Sequence, residues 1–387
     1  MKFLIIASVA ESILNFRYKL IQELKSKGFE VHIAAPAISI DDEVFQKIAS
    51  LNVVIHKIPL KRTGLNPFHD VICLIKLIFL IRRVSPNYLL SYTIKPIIYG
   101  TIAARLMGVD HRISMITGVG LAFTDVSKEK LKKSTRKIII LMYRLAMKLS
   151  TKVIFQNSDD RDLFIKLGII SKNHKIAVVS GSGVDLTKFK PVKFKGHQNF
   201  LIISRLIASK GIREFVEAAR IIKRDYEQVT FTIVGWIDQG EDAISNEELQ
   251  SWVKEGDITH LGFQADVRDA LTNCSVYVLP SYREGTPVSV LEAMATGRPI
   301  ITTDTAGCRE TVIDGENGFL VEVGNVRSLV EAMNKFILDP SLIISMGERS
   351  LELARMKYDV DLVNCEMMDA MDISDVNRHI KQDCYLN

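Results

Sequence analysis

The sequence predicts an α/β protein of two doubly wound domains in series, facing each other across a cleft. Three observations predict it. Short apolar runs alternate with amphipathic stretches along nearly the whole chain, as in parallel sheets covered by helices on both faces. A charged linker at 187–198, containing Pro191 and Gly196, interrupts the alternation near residue 190. The 387 residues suffice for two or three ordinary domains. The expected boundaries are 1–190 and 191–365, with a C-terminal helix at about 366–387 returning to the first domain.

Residues 3–9 read as a buried first strand rather than a signal peptide, because the apolar stretch is short and runs into a helical pattern. A helix at 15–27 ends near Gly28. Strands follow at 30–34 and 53–58. The helix at 68–83 carries an apolar run, 71–80, that Lys76 interrupts and Arg82 and Arg83 end. It is too short to span a bilayer, so a buried or an interfacial helix is expected. A strand at 88–91, a helix at 97–107 ending at Gly108, and a strand at 112–116 come next. A strongly basic helix covers 132–149 and a strand 153–156. Ser158, Asp159 and Asp160 are read as the cap of a helix at 161–167, which stops at Gly168, and 176–179 is a strand. The second half repeats the scheme. It has a strand at 200–203, a helix at 212–223, a strand at 229–234 and a helix at 247–256. Short strands at 258–260, 276–278, 300–302 and 319–321 and late helices at 326–339 and 342–356 complete it.

The net charge of +5 hides an asymmetry. Residues 1–190 hold 30 Lys/Arg and 14 Asp/Glu, a balance of +16, and residues 191–387 hold 20 and 31, a balance of −11. The first half is therefore expected to meet a polyanion. Between Lys128 and Lys152 lie nine Lys/Arg, ends included, and one acid, Glu129, interleaved with Ile138, Ile139, Leu141, Met142, Leu145 and Met147. That composition suits a helix on an anionic membrane surface. Tyr143 is the segment's one aromatic residue, and nucleic acid is not expected. The five cysteines, Cys73, Cys274, Cys308, Cys365 and Cys384, form no C-x-x-C pair and read as buried free thiols. D-R-D at 160–162 and D-V-D at 359–361 are assigned no metal.

Five features suggest chemistry, each at or near the end of an expected strand. G-S-G-V-D at 181–185 allows Gly183 a close approach to a ligand. S-R-L-I-A-S-K-G at 204–211 places Ser204, Arg205 and Lys210 before a helix start, where cations and backbone N–H groups hold a diphosphate and offset leaving-group charge. V-G-W at 234–236 offers Gly235, and L-G-F-Q-A-D-V at 261–267 offers Phe263 for a base-binding slot. Taken singly, each of these is also compatible with a turn or a solvated loop. P-S-Y-R-E-G-T-P-V-S-V-L-E-A-M-A-T-G-R-P-I at 280–300 is the most specific. It sets Glu284 in a Gly/Pro loop and Glu292 on the helix after it, so two carboxylates face one ligand from two directions. Glu292 suits a ribose diol and Glu284 the hydroxyls of a transferred sugar. Gly285, Thr286 and Val288 offer backbone N–H groups to phosphate, whereas Pro287 has none.

These motifs resemble those of the retaining glycosyltransferases of family 4, which have the GT-B fold of two Rossmann-like domains. The resemblance covers nearly the whole chain. It implies that Arg205 and Lys210 contact the donor diphosphate, Glu284 the donor sugar and Glu292 the nucleotide ribose. Arg205, Lys210 and Glu284 are the implied catalytic group. Gly183, Ser204, Gly235, Phe263, Gly285, Thr286, Pro287, Val288 and Glu292 are the implied donor-binding set. S-V-A-E-S-I-L-N-F-R at 8–17, K-P-I-I-Y-G at 95–100 and T-G-V-G at 117–120 resemble the subgroup acting on undecaprenyl-diphosphate-linked sugars, N-acetylgalactosaminyltransferases of bacterial glycan assembly. This implies acceptor-side roles for Ser12, Arg17, Lys95, Thr117, Gly118 and Gly120. It also implies a UDP-sugar donor, best UDP-GalNAc transferred alpha-1,3, no metal or other cofactor, and a place at the cytoplasmic face of the bacterial inner membrane. UDP-Gal, UDP-Glc or UDP-GlcNAc donors, or a non-catalytic nucleotide-binding scaffold, are the alternatives. The sequence departs from the family in two places. Val9 and Ala10 stand where many members have Gly-Gly, and Thr93 or Lys95 stands near the position of a common histidine.

Overall fold

The computed structural model describes residues 1–36, 43–61, 66–119, 133–171, 173–238, 240 and 242–373. The first domain is a seven-stranded sheet in the order β3-β2-β1-β4-β5-β6-β7, with every described pairing parallel. Its strands are β1 (Lys2–Ile6), β2 (Glu30–Ala35), β3 (Val54–Lys57), β4 (Tyr88–Tyr92), β5 (His111–Ile116), β6 (Lys152–Phe155) and β7 (Ile176–Val178). Its helices are α1 (Glu11–Ser26), α2 (Glu43–Ala49), α3 (Pro67–Val84), α4 (Thr101–Leu106), α5 (Lys133–Leu149) and α6 (Ser158–Lys166).

Both faces of the central strands of this sheet are dry, which explains why those strands read as continuous apolar runs. On β1, Leu4 and Ile6 join a core with residues of α3, α4 and α5, whereas Phe3 and Ile5 join the opposite core with residues of α1. Full burial of each such side chain contributes about 1.5–3 kcal/mol.

The second domain is a six-stranded parallel sheet, order β10-β9-β8-β11-β12-β13, around one continuous core. Its strands are β8 (Asn199–Ile203), β9 (Thr230–Val234), β10 (Thr259–His260), β11 (Val276–Leu279), β12 (Ile300–Thr303) and β13 (Gly318–Val321). Its helices are α7 (Ile212–Lys223), α8 (Asn246–Lys254), α9 (Arg268–Thr272), α10 (Val288–Ala295), α11 (Val326–Leu338) and α12 (Ser341–Lys357). A last helix, α13 (Val360–Ala370), leaves this domain, and Met367, Met368, Ala370 and Met371 enter the first domain's core beside α1.

Several sequence readings change. α13 begins at Val360 because Asp359, of the D-V-D, accepts from the Asp361 N–H as its N-cap. Residues 374–387 lie outside the described residues. α6 is capped by Asn157 rather than by Ser158, Asp159 and Asp160. The helix expected at 97–107 divides into a π-helical turn, Pro96–Gly100, and α4. Gly100 permits that turn to lie on β4, since a β-carbon there would stand 2.6 Å from Ser91 Oγ. α2 was not foreseen. Cys365 is exposed, while Cys73, Cys274 and Cys308 are buried and free, and Cys384 lies outside the described residues.

α3, α4 and α5 lie side by side over one face of the first sheet. α3 is neither wholly buried nor polar outside. Cys73, Leu77 and Ile81 face the core, but Phe68 is 84% exposed and Phe79 65%. Val71, Ile72 and Ile75 are exposed between them. α5 adds exposed Ile138, Leu141 and Leu145, while Tyr143 and Met147 turn inward. No described helix is long and apolar enough to cross a membrane.

Candidate active site

Each sheet reverses its strand order once, between β1 and β4 in the first domain and between β8 and β11 in the second. Loops leaving neighbouring strands in opposite directions open a crevice at their carboxyl ends, the usual ligand position in such sheets.

In the second domain the crevice gathers three charged side chains. Arg205 follows β8. A 3-10 turn, Ala208–Lys210, then presents Lys210, and Gly211 turns the chain into α7. Gly211 has φ +73°, and a β-carbon there would come within 2.2 Å of Pro280 O. The loops after β8 and β11 therefore lie on one another. Glu284, on the second loop, pairs with Lys210 through Nζ and Oε1. Arg205 pairs with Asp238. Ser204 Oγ donates to Arg205 O at 3.1 Å. Gly235 lies against Ser204, where a β-carbon would be 1.8 Å from the carbonyl oxygen, and its N–H donates to Gly262 O at 2.9 Å. Beyond it, Trp236 and Phe263 meet edge to face at 5.3 Å, both exposed.

Thr286 Oγ1 donates to Gln156 O of the first domain at 3.0 Å, Pro287 is the N-cap of α10, and Val288 is its first residue. Glu292 is partly buried on α10. Burial pushes its carboxyl up to about 7, Asp266 adds to the rise, and the Lys188 ammonium offsets part of it. Gly183 turns elsewhere. A β-carbon on it would meet Val360 Cα at 2.6 Å, so its smallness serves the return of α13.

The first-domain crevice is lined mainly by hydroxyls. Ser12 Oγ donates to Val9 O at 2.6 Å and shares a 2.8 Å hydrogen bond with Tyr92 OH. Thr93 Oγ1 donates to Ser8 Oγ at 2.9 Å, from a backbone with φ +69°. A β-branched residue in that region is strained, a condition that clusters at functional sites. Lys95 is partly buried in a 2.8 Å ion pair with Asp70, which is buried. Arg17 is buried, donates to Phe16 O, Ser182 Oγ and Met115 Sδ, and stacks over Tyr92. Desolvation lowers its pKa, and no carboxylate among the described residues pairs with it. Thr117 and Gly118 reach across to the second domain. A β-carbon on Gly285 would be 2.3 Å from Thr117 O, and one on Gly118 would be 3.5 Å from Gly285 N. Gly120 lies outside the described residues. Among those residues, no group of three or more His, Cys, Asp or Glu is arranged to hold a metal ion.

The structure thus joins Arg205, Lys210, Glu284, Ser204 and Gly235 in one crevice, with Thr117 and Gly118 against its wall. Ser12, Arg17 and Lys95 line the other. The sequence reading missed Asp238 and Asp70, the partners of two candidate cations. It also missed Asp160, which pairs with Arg283 across the domains at a separation of 123 residues. An acid in the first turn of a helix has an adequate local explanation, so nothing in the pattern signals a distant partner.

Two facing parallel-sheet domains with polar crevices define the GT-B architecture of glycosyltransferases. Residues 4–157 match the model described as glycosyl transferase 4-like, and residues 184–352 that described as glycosyl transferases group 1. The chain belongs to these family 4-like glycosyltransferases. It is 28% identical over 366 residues to the N,N'-diacetylbacillosaminyl-diphospho-undecaprenol alpha-1,3-N-acetylgalactosaminyltransferase of Campylobacter jejuni, covering 91% of this chain and 93% of that protein. It is also 28% identical to the UDP-Gal:alpha-D-GlcNAc-diphosphoundecaprenol alpha-1,3-galactosyltransferase of Escherichia coli, covering 74% and 76%. Among solved structures, sucrose-phosphate synthase from Thermosynechococcus elongatus superposes with a TM-score of 0.80 at 18% identity, covering 96% of this chain and 98% of that one. Anabaena HepE in complex with UDP gives 0.76 at 19% identity, covering 97% and 100%.

Proposed function

We propose that the chain transfers a sugar from a UDP-sugar to a polyprenyl-diphosphate-linked HexNAc, with retention, in O-antigen, capsule or related glycan assembly. The observation that carries the reading is the convergence of Arg205, Lys210 and Glu284 at the second sheet's switch point. Arg205 and Lys210 bind the diphosphate and offset the charge on the leaving UDP. Glu284 holds the donor sugar's hydroxyls. Its charge is balanced by Lys210, and the donor phosphate takes over that lysine. Glu292 accepts from the ribose diol, and Phe263 with Trp236 forms the nucleobase edge. The N–H groups of Gly285 to Val288, Pro287 excepted, approach the phosphate at the α10 start. No side chain is assigned as a covalent nucleophile. The acceptor hydroxyl enters on the face from which UDP leaves, and a diphosphate oxygen takes its proton. No metal is assigned.

The two relatives named above share an undecaprenol-diphosphate acceptor and an alpha-1,3 linkage in their names but differ in donor, GalNAc against Gal. That agreement supports the acceptor class and linkage more strongly than the donor. UDP-GalNAc is the donor proposed here, with UDP-Gal, UDP-Glc and UDP-GlcNAc as competitors. The acceptor's lipid places the enzyme peripherally at the cytoplasmic face of the inner membrane. The exposed apolar stripe of α3 and the basic helix α5 are the proposed contact. α5 contains no acid, and the one acid of α3, Asp70, is buried against Lys95. Exposed apolar side chains with a cationic, nearly acid-free surround match an anionic bilayer.

The test is a donor screen. Protein, a short-chain polyprenyl-diphosphate-HexNAc and a panel of UDP-sugars are combined, and product mass is read. Gain of one HexNAc from UDP-GalNAc is expected. Gain of one hexose replaces the donor assignment, and UDP binding without transfer from any donor overturns the enzymatic reading on this acceptor.

A further inference from the structure

The loop that carries Glu284 is held by both domains. Its own domain supports one side, where the Glu284 N–H donates to Ala306 O at 3.0 Å and a β-carbon on Gly307 would stand 2.2 Å from Gly285 O. The other side rests on the start of α6 in the first domain. Asn157 Nδ2 donates to Gly285 O at 2.6 Å. Asp160, wholly shielded from solvent, pairs with Arg283. Thr286 Oγ1 reaches Gln156 O. Residues 283, 285 and 286, which flank Glu284, are thus all tied to 156–160.

Asn157 links these contacts. Its Oδ1 accepts from the Asp160 N–H at 2.8 Å as the helix cap, and its Nδ2 also donates to Asp160 Oδ2 at 3.2 Å. One amide therefore caps α6, orients the carboxylate that holds Arg283, and grips the carbonyl next to Glu284. A structural role alone would require only the cap. A buried ion pair is a poor source of net stability, because desolvation cancels much of its attraction. Across a domain boundary, beside a charged residue of the candidate site, the arrangement instead fixes relative position.

We propose that Asn157 and Asp160 are positioning residues that place Glu284 for the reaction and make its placement depend on contact between the two domains. The inference rests on the reading of Glu284 as a donor-sugar ligand. Arg205, Lys210 and Glu292 belong to the second domain, so nucleotide binding does not need the clamp. Placement of the transferred sugar does.

Asn157→Ser separates the two duties. Serine still caps the helix, but its shorter side chain does not reach Gly285 O. Asp160→Asn removes the carboxylate charge that faces Arg283 at nearly constant volume. Each variant is expected to lower kcat by about 10- to 100-fold, the cost of a misplacement near 1 Å. UDP affinity is expected to change by less than about 2-fold, well under the factor of 10 that 1.4 kcal/mol represents. Asn157→Ser keeps the cap and loses only the amide's two donor bonds, so it should stay folded with a modestly lower melting temperature, which keeps the test valid if Asp160→Asn folds poorly. The decisive reading is the double-mutant cycle with Glu284→Gln. A residue acting through Glu284 should cost less than about 3-fold in that background, whereas independent effects multiply. Wild-type kcat in Asn157→Ser, or full multiplicative loss in the Glu284→Gln background, overturns the proposal. Full activity in Glu284→Gln alone instead overturns the underlying reading of the site.

Discussion

The two crevices obey one topological rule and hold different chemistry. In the second domain, Arg205, Lys210 and Glu284 are paired with one another or with Asp238, and Arg205 remains about one-third exposed. In the first domain, Arg17 is buried, Lys95 is paired with buried Asp70, and hydroxyls from Ser8, Ser12, Tyr92 and Thr93 bridge the two strand ends. Charges that stay within reach of solvent can exchange a protein partner for a ligand at small cost. Buried charges have become part of the fold. Loss of Arg205 should therefore fail catalytically, whereas loss of the partner of buried Asp70 should fail structurally.

The largest effect on turnover is expected from Arg205→Ala and Lys210→Ala. If these cations stabilise departing diphosphate, each substitution lowers kcat by about 10²–10³-fold, as for other preorganised transition-state donors. Arg205→Ala should melt near wild type, because its side chain is about one-third exposed, whereas Lys210→Ala leaves Glu284 without its partner and should melt lower. Steady-state turnover of the donor, with a thermal melt alongside, checks both halves. Full activity in both variants would remove the diphosphate assignment.

Lys95→Met should behave in the opposite way. It leaves the Asp70 carboxylate buried without its partner, a change that costs about 3–5 kcal/mol. The expected readings are a lower denaturation midpoint and unchanged UDP affinity in the surviving folded fraction. A stable variant with a raised acceptor KM would move Lys95 from the fold to the substrate.

The contrast also explains what was legible in the sequence. The second crevice is built from consecutive loop motifs, and Glu284 and Glu292 lie on one short segment, so local pattern exposed them. Alternation of apolar runs located most strands for the same reason. The first crevice and the domain junction depend on pairs distant along the chain, such as Lys95 with Asp70 and Arg283 with Asp160. Local pattern does not encode those pairings. Gly183 adds a long-range reason for a glycine that its loop does not reveal, since its missing side chain admits Val360. The π-helical turn at Pro96–Gly100 escaped because all five residues are buried, so apolar spacing there carries no phase that distinguishes it from an α-helix.

The outer surface of the first domain yields a smaller, separable effect. Replacing Phe68 and Phe79 together by Ser should reduce sedimentation with phosphatidylglycerol vesicles by about 10-fold, since two large apolar contacts are lost. Turnover with a short-chain, water-soluble acceptor should persist. Equal vesicle binding by the variant and the wild type would exclude α3 from the membrane contact.

The smallest effect comes from Glu292, and its sign is fixed by burial. In the folded protein its carboxyl is raised from 4.5 to about 7, chiefly by desolvation. The folded state therefore binds this proton more tightly than the unfolded chain does. Between pH 4.5 and 7 the folded state holds the extra proton, so stability falls as pH rises. The stabilising contribution is complete below 4.5 and lost above 7. Glu292→Gln does not titrate. The difference in Tm, variant minus wild type, should therefore be smallest near pH 4.5, grow through neutrality and level off above 7. UDP binding should move the other way. Above pH 7 the wild-type carboxylate accepts from both ribose hydroxyls, and the amide, with one acceptor oxygen, binds UDP about 10-fold more weakly. A Tm difference that is flat with pH would show that Glu292 is not desolvated. A pH-dependent difference with unchanged UDP affinity would keep the burial and reject the ribose contact. Taken together, the two curves separate the energetic consequence of desolvating an acid on α10 from any use of it in binding a nucleotide.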